Sequence, residues 1–122
     1  MHALTRPGLL PVHATAVGMV LLARASPEKQ EEVLSSPLAR YTRYTITDPR
    51  RLRRILADVR QVGYAISERH VQTISSSVAA PVRDRTGAVV AAISVVVNAG
   101  DNTPQWVPAA MASARGISRA LA

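Results

Sequence analysis

Ser75, Ser76 and Ser77 stand in a row ahead of Val78-Ala79-Ala80-Pro81-Val82, and Ser94 interrupts a second run of Ala, Ile and Val between Ala88 and Val97. A hydroxyl carries one donor and two acceptor sites, so serines among alanines offer hydrogen bonds and room for a small polar ligand. Both runs favour strands, and period-two alternation puts Thr73, Ser75, Ser77 and Ala79 on one face. Ile74, Val78, Ala80 and Val82 fall on the other. Between the runs, Asp84-Arg85-Thr86-Gly87 has turn chemistry: Asp can bond the backbone that follows it, and Gly supplies a positive φ. With Arg85 and Thr86 as the loop residues, Ser77 faces Ser94 across the hairpin, and a bulge at Gly87 would shift this by one. The plainer alternative is that the serines bond neighbouring backbone or water, as most side-chain hydroxyls do.

The other candidate groups are His2, His13 and His70. They lack i, i+4 spacing and have no carboxylate in a recognised pattern beside them, so no metal site is expected. His13 lies just before an apolar helix that Thr15 can cap, where backbone N–H groups favour an anion; a surface or capping role is the alternative. No Cys is present, which excludes disulfides, thiolate metal sites and a thiol nucleophile. Neither a Gly-x-Ser-x-Gly elbow nor a glycine-rich phosphate loop occurs, and the 8 acidic residues are scattered. The chain is therefore expected to be neither an enzyme nor a cofactor binder.

The elements around these residues fit one domain over residues 1–122, and 48% hydrophobic composition suffices for one core. Aromatic residues make up only 3%, too few for base-stacking platforms. The net charge of +7 is carried mostly by arginines. Arg40, Arg43, Arg50, Arg51, Arg53, Arg54 and Arg60 crowd the middle of the chain, which reads as a solvated helix face rather than a phosphate site. The longest apolar run, Ala16 to Ala23, is far shorter than the ~20 residues of a membrane span, and no signal peptide is recognisable, so a soluble cytoplasmic protein without membrane contact is expected.

Residues 2–5 read as the end of a strand broken by Arg6-Pro7-Gly8. An all-round apolar helix over 16–25 must be buried, and Gly18 within it points to close approach of a backbone or a ligand. Ser26-Pro27-Glu28 starts a short helix ending before Pro37, and residues 39–47 read as a loop. Asp48-Pro49 starts the clearest helix, with Leu52, Ile55, Leu56, Val59 and Val62 on one stripe and Gly63 at its end. Tyr64-Ala65-Ile66-Ser67 is a strand leading through residues 68–72 into the hairpin, and Thr103-Pro104 opens a last helix to about Leu121. The fold class is α+β: an antiparallel sheet flanked by helices. So short a sheet leaves an edge exposed, pointing to strands before it or to a partner copy in a homo-oligomer.

The order of motifs resembles the effector-binding domain of IclR-family bacterial transcription regulators. The residues carrying it are Leu10-Pro11-Val12-His13-Ala14-Thr15-Ala16-Val17-Gly18 through Ala23, Thr45-Ile46-Thr47-Asp48, Arg60-Gln61-Val62-Gly63-Tyr64, Val78-Ala79-Ala80-Pro81-Val82-Arg83-Asp84 and Gly87-Ala88-Val89-Val90 through Val95, between about His2 and Leu121. The resemblance implies a GAF-like domain that binds a small organic or aromatic acid and controls DNA binding by a separate winged helix, absent from this chain together with the domain's first strands. Carried over by motif, the ligand-binding positions are Ala16, Val17, Ser67, Ser77 and Ser94, to which the helix-start argument adds His13. The chain departs from the family after Glu68, where Arg69-His70-Val71-Gln72-Thr73-Ile74 lacks the expected Gly, so the family's pocket shape does not carry over to that region. The alternative function is a dimerisation or interaction module of the same fold that has lost its ligand.

Overall fold

Capping residues start the first three α-helices of the computed structural model, which describes residues 12–122. The strand end expected at residues 2–5, the break after it and His2 lie outside the described residues. Helix α1 (Ala16–Ala23) starts where the Thr15 hydroxyl accepts from the Gly18 N–H at 2.9 Å. It buries Ala16, Gly18, Met19, Val20, Leu22 and Ala23, as an all-round apolar helix must. Helix α2 (Pro27–Leu34) starts at Ser26, whose hydroxyl accepts from the Lys29 N–H. Helix α3 (Pro49–Val62) runs from an Asp48 cap to Gly63, which takes a left-handed φ of 85°. Its inner stripe is Leu52, Leu56 and Val59, with Ile55 half-buried; Val62, expected on that stripe, is 48% exposed in the last turn.

Strands β1 (Ala65–Glu68), β2 (Ser75–Arg83) and β3 (Val89–Asn98) form an antiparallel sheet in the order β1-β2-β3. The expected last helix is divided: Thr103–Trp106 is a 3-10 turn and α4 (Val107–Leu121) follows it. One sheet face carries Ile66, Val78, Ala80, Val82, Ile93 and Val95 against Ala110 and Ala114 of α4. Ala65, Ala79 and Ala92 on the other face pack into a core with α1, Leu34, Ile46, Leu52 and Leu56. Small residues on this second face let α1 lie close to the sheet.

The hairpin register differs from the expected one. The connection spans residues 84–88, because the Asp84 carboxylate accepts from Thr86 N–H at 2.8 Å, Thr86 Oγ1 at 2.5 Å and Ala88 N–H at 3.2 Å. Gly87 supplies the positive φ, 89°. An irregularity follows, pairing Val82 with Ala91 but Arg83 with Val89. Ser77 therefore faces Val96, and Ser94 faces Ala79 rather than Ser77. Ile74, expected on one strand face with Val78, precedes the strand and is 73% exposed.

Candidate functional site

A cavity of about 210 Å³ opens where the start of α1 meets the serine end of the sheet. Thr15 contributes from the α1 cap, Ser67 from β1, Ser75, Ser76 and Ser77 from β2, Val96 from β3, and Val71 and Gln72 from the β1–β2 connection. No Lys, Arg, Asp or Glu lines it. Hydroxyls, an amide and two valines make a surface for a small ligand with polar ends and an apolar body. The volume lies below the roughly 300–1,000 Å³ of sites for drug-sized ligands, so the fit is to a single ring or a short chain.

Of the residues expected at the site, Ser67 and Ser77 line this cavity. Ser67 is buried and donates its hydroxyl proton to the Ala14 carbonyl at 2.5 Å, fastening β1 to the segment before α1. With that proton committed, it can only accept from a ligand. Ser94 is exposed on β3, on the same face as Ser77 but diagonal to it, outside the lining.

Ala16 is buried and Val17 half-buried, and neither lines the cavity. Their N–H groups precede the first intrahelical bond, which Met19 makes to Thr15, and the Thr15 hydroxyl accepts from Gly18 N–H, leaving its own proton to donate. What α1 offers a ligand is thus the Thr15 hydroxyl proton and the field of its first turn. Gly18 answers to a backbone: a Cβ there would lie 2.5 Å from Val12 Cα and 2.8 Å from Val12 O. His13 is buried away from the lining, donating from Nε2 to the Ala39 carbonyl at 2.7 Å and stacking on Tyr41 at 5.9 Å between centroids. Its place is structural, between the start of α1 and the loop before α3.

Thr15, Ser75, Ser76, Val71, Gln72 and Val96 complete the lining without having been singled out as site residues. Alternation puts Ser75 on the Ser77 face, a usable signal. Val71 and Gln72 have none, because their place depends on how the connection is tied down. Thr42 Oγ1 donates to the Arg69 carbonyl at 2.6 Å and Thr45 Oγ1 to the His70 carbonyl at 2.5 Å, while Thr45 Oγ1 accepts from the N–H groups of Tyr41 and Thr42. These bonds hold a turn in which Arg69 takes a left-handed φ of 61°. Next to it, His70 Nδ1 is buried without a partner. Burial, then the positive charges of Arg51 and His13, push the His70 pKa below its ordinary value.

Among the described residues no group of three or more His, Cys, Asp or Glu could hold a metal ion. No helix among them is long and apolar enough to cross a membrane.

Residues 5–119 match the family described as Bacterial transcriptional regulator IclR C-terminal. The chain is 36% identical over 117 residues to the HTH-type transcriptional repressor AllR of Klebsiella pneumoniae, covering 92% of this chain and 43% of that protein. It is 34% identical over 99 residues to the p-hydroxybenzoate hydroxylase transcriptional activator of Acinetobacter baylyi, covering 80% and 36%. Among solved structures, an IclR homolog from Microbacterium hydrocarbonoxydans complexed with 4-hydroxybenzoate superposes with a TM-score of 0.86 at 39% identity, over 90% of this chain and 45% of that one. The chain spans less than half the length of each of these proteins.

Proposed function

Because the chain belongs to the IclR family of bacterial transcriptional regulators, in the part that forms their C-terminal domain, we propose that it senses a small organic or aromatic acid through the cavity between α1 and the serine face. It is a transcription-regulator domain, not an enzyme. The observation that carries the proposal is the convergence of Thr15, Ser67, Ser75 and Ser77 on one half-open cavity beside the start of α1. The 4-hydroxybenzoate bound by the Microbacterium homolog supports the ligand class, since its single ring suits the volume.

In this reading Ser77 and Ser75 donate to the acid, Ser67 and Gln72 meet a ligand hydroxyl, and the first turn of α1 at Ala16 and Val17 favours the negative charge. The overall charge of +7 draws anions toward the site. Ser94 contributes where a ligand extends along the face toward the hairpin. His13 acts only by holding the segment before α1. Occupancy would draw in Val71 and Gln72, and that movement would reach a winged-helix DNA-binding domain in the cytoplasm, working as a homo-oligomer.

A thermal-shift screen of 4-hydroxybenzoate, benzoate and short aliphatic acids tests the proposal. A ligand that binds only the folded state at a hundred times its Kd stabilises it by about 2.7 kcal/mol. Ser75→Ala with Ser77→Ala should weaken the responding acid by roughly 1–3 kcal/mol, and Ser94→Ala by less. An acid whose affinity ignores the double substitution would move the site elsewhere. A folded chain that responds to no acid would favour the dimerisation module, a reading to which the exposed Val90 and Val96 on β3 lend support.

A further inference from the structure

On the opposite face of the sheet, a cavity of about 350 Å³ lies between α4, the end of β2 and Gly63. Ala80, Pro81, Met111 and Ala114 make its floor, and Arg83, Arg115 and Arg119 stand around it. No Asp or Glu lines it. The ion pairs among the described residues, Lys29–Glu32 and Arg53–Glu31, engage none of these arginines. Arg83 Nη1 donates to the Gly87 carbonyl at 2.9 Å, and the guanidinium groups of Arg115 and Arg119 have no hydrogen-bond partner among the described residues. The Ser118 hydroxyl, also in the lining, is spent: it accepts from Arg83 N–H at 2.9 Å and donates to the Ala114 carbonyl at 2.8 Å. The charge is thus left to the guanidiniums.

The exposed guanidiniums of Arg115 and Arg119 can take an anion in charge-assisted hydrogen bonds, and the apolar floor offers that anion a place for its apolar part. A nucleic-acid backbone needs a basic strip and gains nothing from alanine, proline and methionine beneath it. We infer that this cavity is a second ligand site, taking an organic anion with its aliphatic or aryl body on Ala80, Pro81, Met111 and Ala114 and its carboxylate or phosphate on Arg83, Arg115 and Arg119. It is separate from the serine cavity and shares no residue with it.

Calorimetric titration of the whole chain with octanoate tests this. One saturable site is expected, and Arg115→Gln with Arg119→Gln should weaken it by roughly tenfold to a hundredfold through loss of charge-assisted hydrogen bonds. Both arginines are exposed, so an unchanged urea midpoint should accompany the loss. Ser75→Ala with Ser77→Ala should leave octanoate binding as it was, which separates this site from the serine cavity and from the fate of that proposal. Octan-1-ol and inorganic phosphate, each with half the chemistry, should bind more weakly than octanoate. No saturable binding, affinity indifferent to the arginine pair, or octan-1-ol binding as tightly as octanoate would each overturn the assignment. So would an inert octanoate beside a short DNA duplex whose binding falls in the arginine variant, which would give these arginines to phosphate backbone instead.

Discussion

Gly18→Ala sets two effects of opposite sign against each other. In an unencumbered helix interior, Gly to Ala gains about 1 kcal/mol of helix propensity. At Gly18 a methyl would lie 2.5 Å from Val12 Cα, 2.6 Å from Thr15 Oγ1 and 2.8 Å from Val12 O. Two of these atoms are backbone, so the segment before α1 must move rather than a flexible side-chain tip. Overpacking of this kind costs about 1–3 kcal/mol, and displacing Thr15 removes a cap worth about 1 kcal/mol. The net expectation is a loss of about 1–3 kcal/mol, read as a lower urea midpoint at unchanged m-value. The damage should also reach the cavity, because Thr15 lines it and Ala14, in the same segment, holds Ser67. The variant should therefore lose affinity for the responding acid beyond what its stability loss explains. A Gly18→Ala protein that is more stable than the parent, with ligand response intact, would refute the packing argument and leave propensity as the only effect at this position.

Leu56→Ala should cost about 2–5 kcal/mol in denaturant melts, whereas Arg53→Ala, whose pair with Glu31 is exposed, should cost no more than about 1 kcal/mol. Thr45→Val removes the acceptor for Tyr41 and Thr42 and the donor to His70, and should cost about 1–3 kcal/mol while loosening the Val71–Gln72 wall, seen as faster amide exchange there. His70 has a depressed folded-state pKa, so the unfolded chain binds the proton more readily: stability is fully present above about pH 6.5 and falls as the pH drops from there toward the folded-state value. His70→Gln should flatten that slope in urea midpoints measured from pH 7.5 to 5, and an unchanged slope would remove His70 as its source. This chain alone should show only weak, salt-sensitive association with DNA in mobility shifts, with no discrimination between sequences.

The first three helices were legible because their ends carry their own chemistry. Thr15, Ser26, Asp48 and Gly63 each do locally what their residue type dictates, and the α3 stripe, apart from Val62 in the last turn, followed from period alone. Contacts between segments distant in sequence were not legible. His13 looked like an anion anchor because it precedes a helix start, yet its partner is the Ala39 carbonyl, 26 residues away, which no local pattern marks. The threonine bonds that place Val71 and Gln72 bridge 27 and 25 residues, and the 39–47 stretch that makes them has no period by which to place it.

The hairpin shows why the hydroxyl-bearing face survived a wrong register. Asp84 gathers Thr86 and Ala88 into a five-residue connection, and this moved the pairing of Ser77 from Ser94 to Val96. The displacement is two residues, and a strand's side chains alternate with period two, so every residue kept its face. Ser77, Ala79 and Ser94 still lie on one side of the sheet, and Ser67 joins them because β1 pairs it with Ser77. Displacement by one would have turned Ser94 and Val96 to the α4 side and put Val95 and Val97 opposite the serines. The composition of a face thus depends only on the parity of the register, whereas the composition of a cavity depends on its value: parity made the face small and hydroxyl-bearing, and the two-residue displacement seated Val96 in the cavity and left Ser94 outside it.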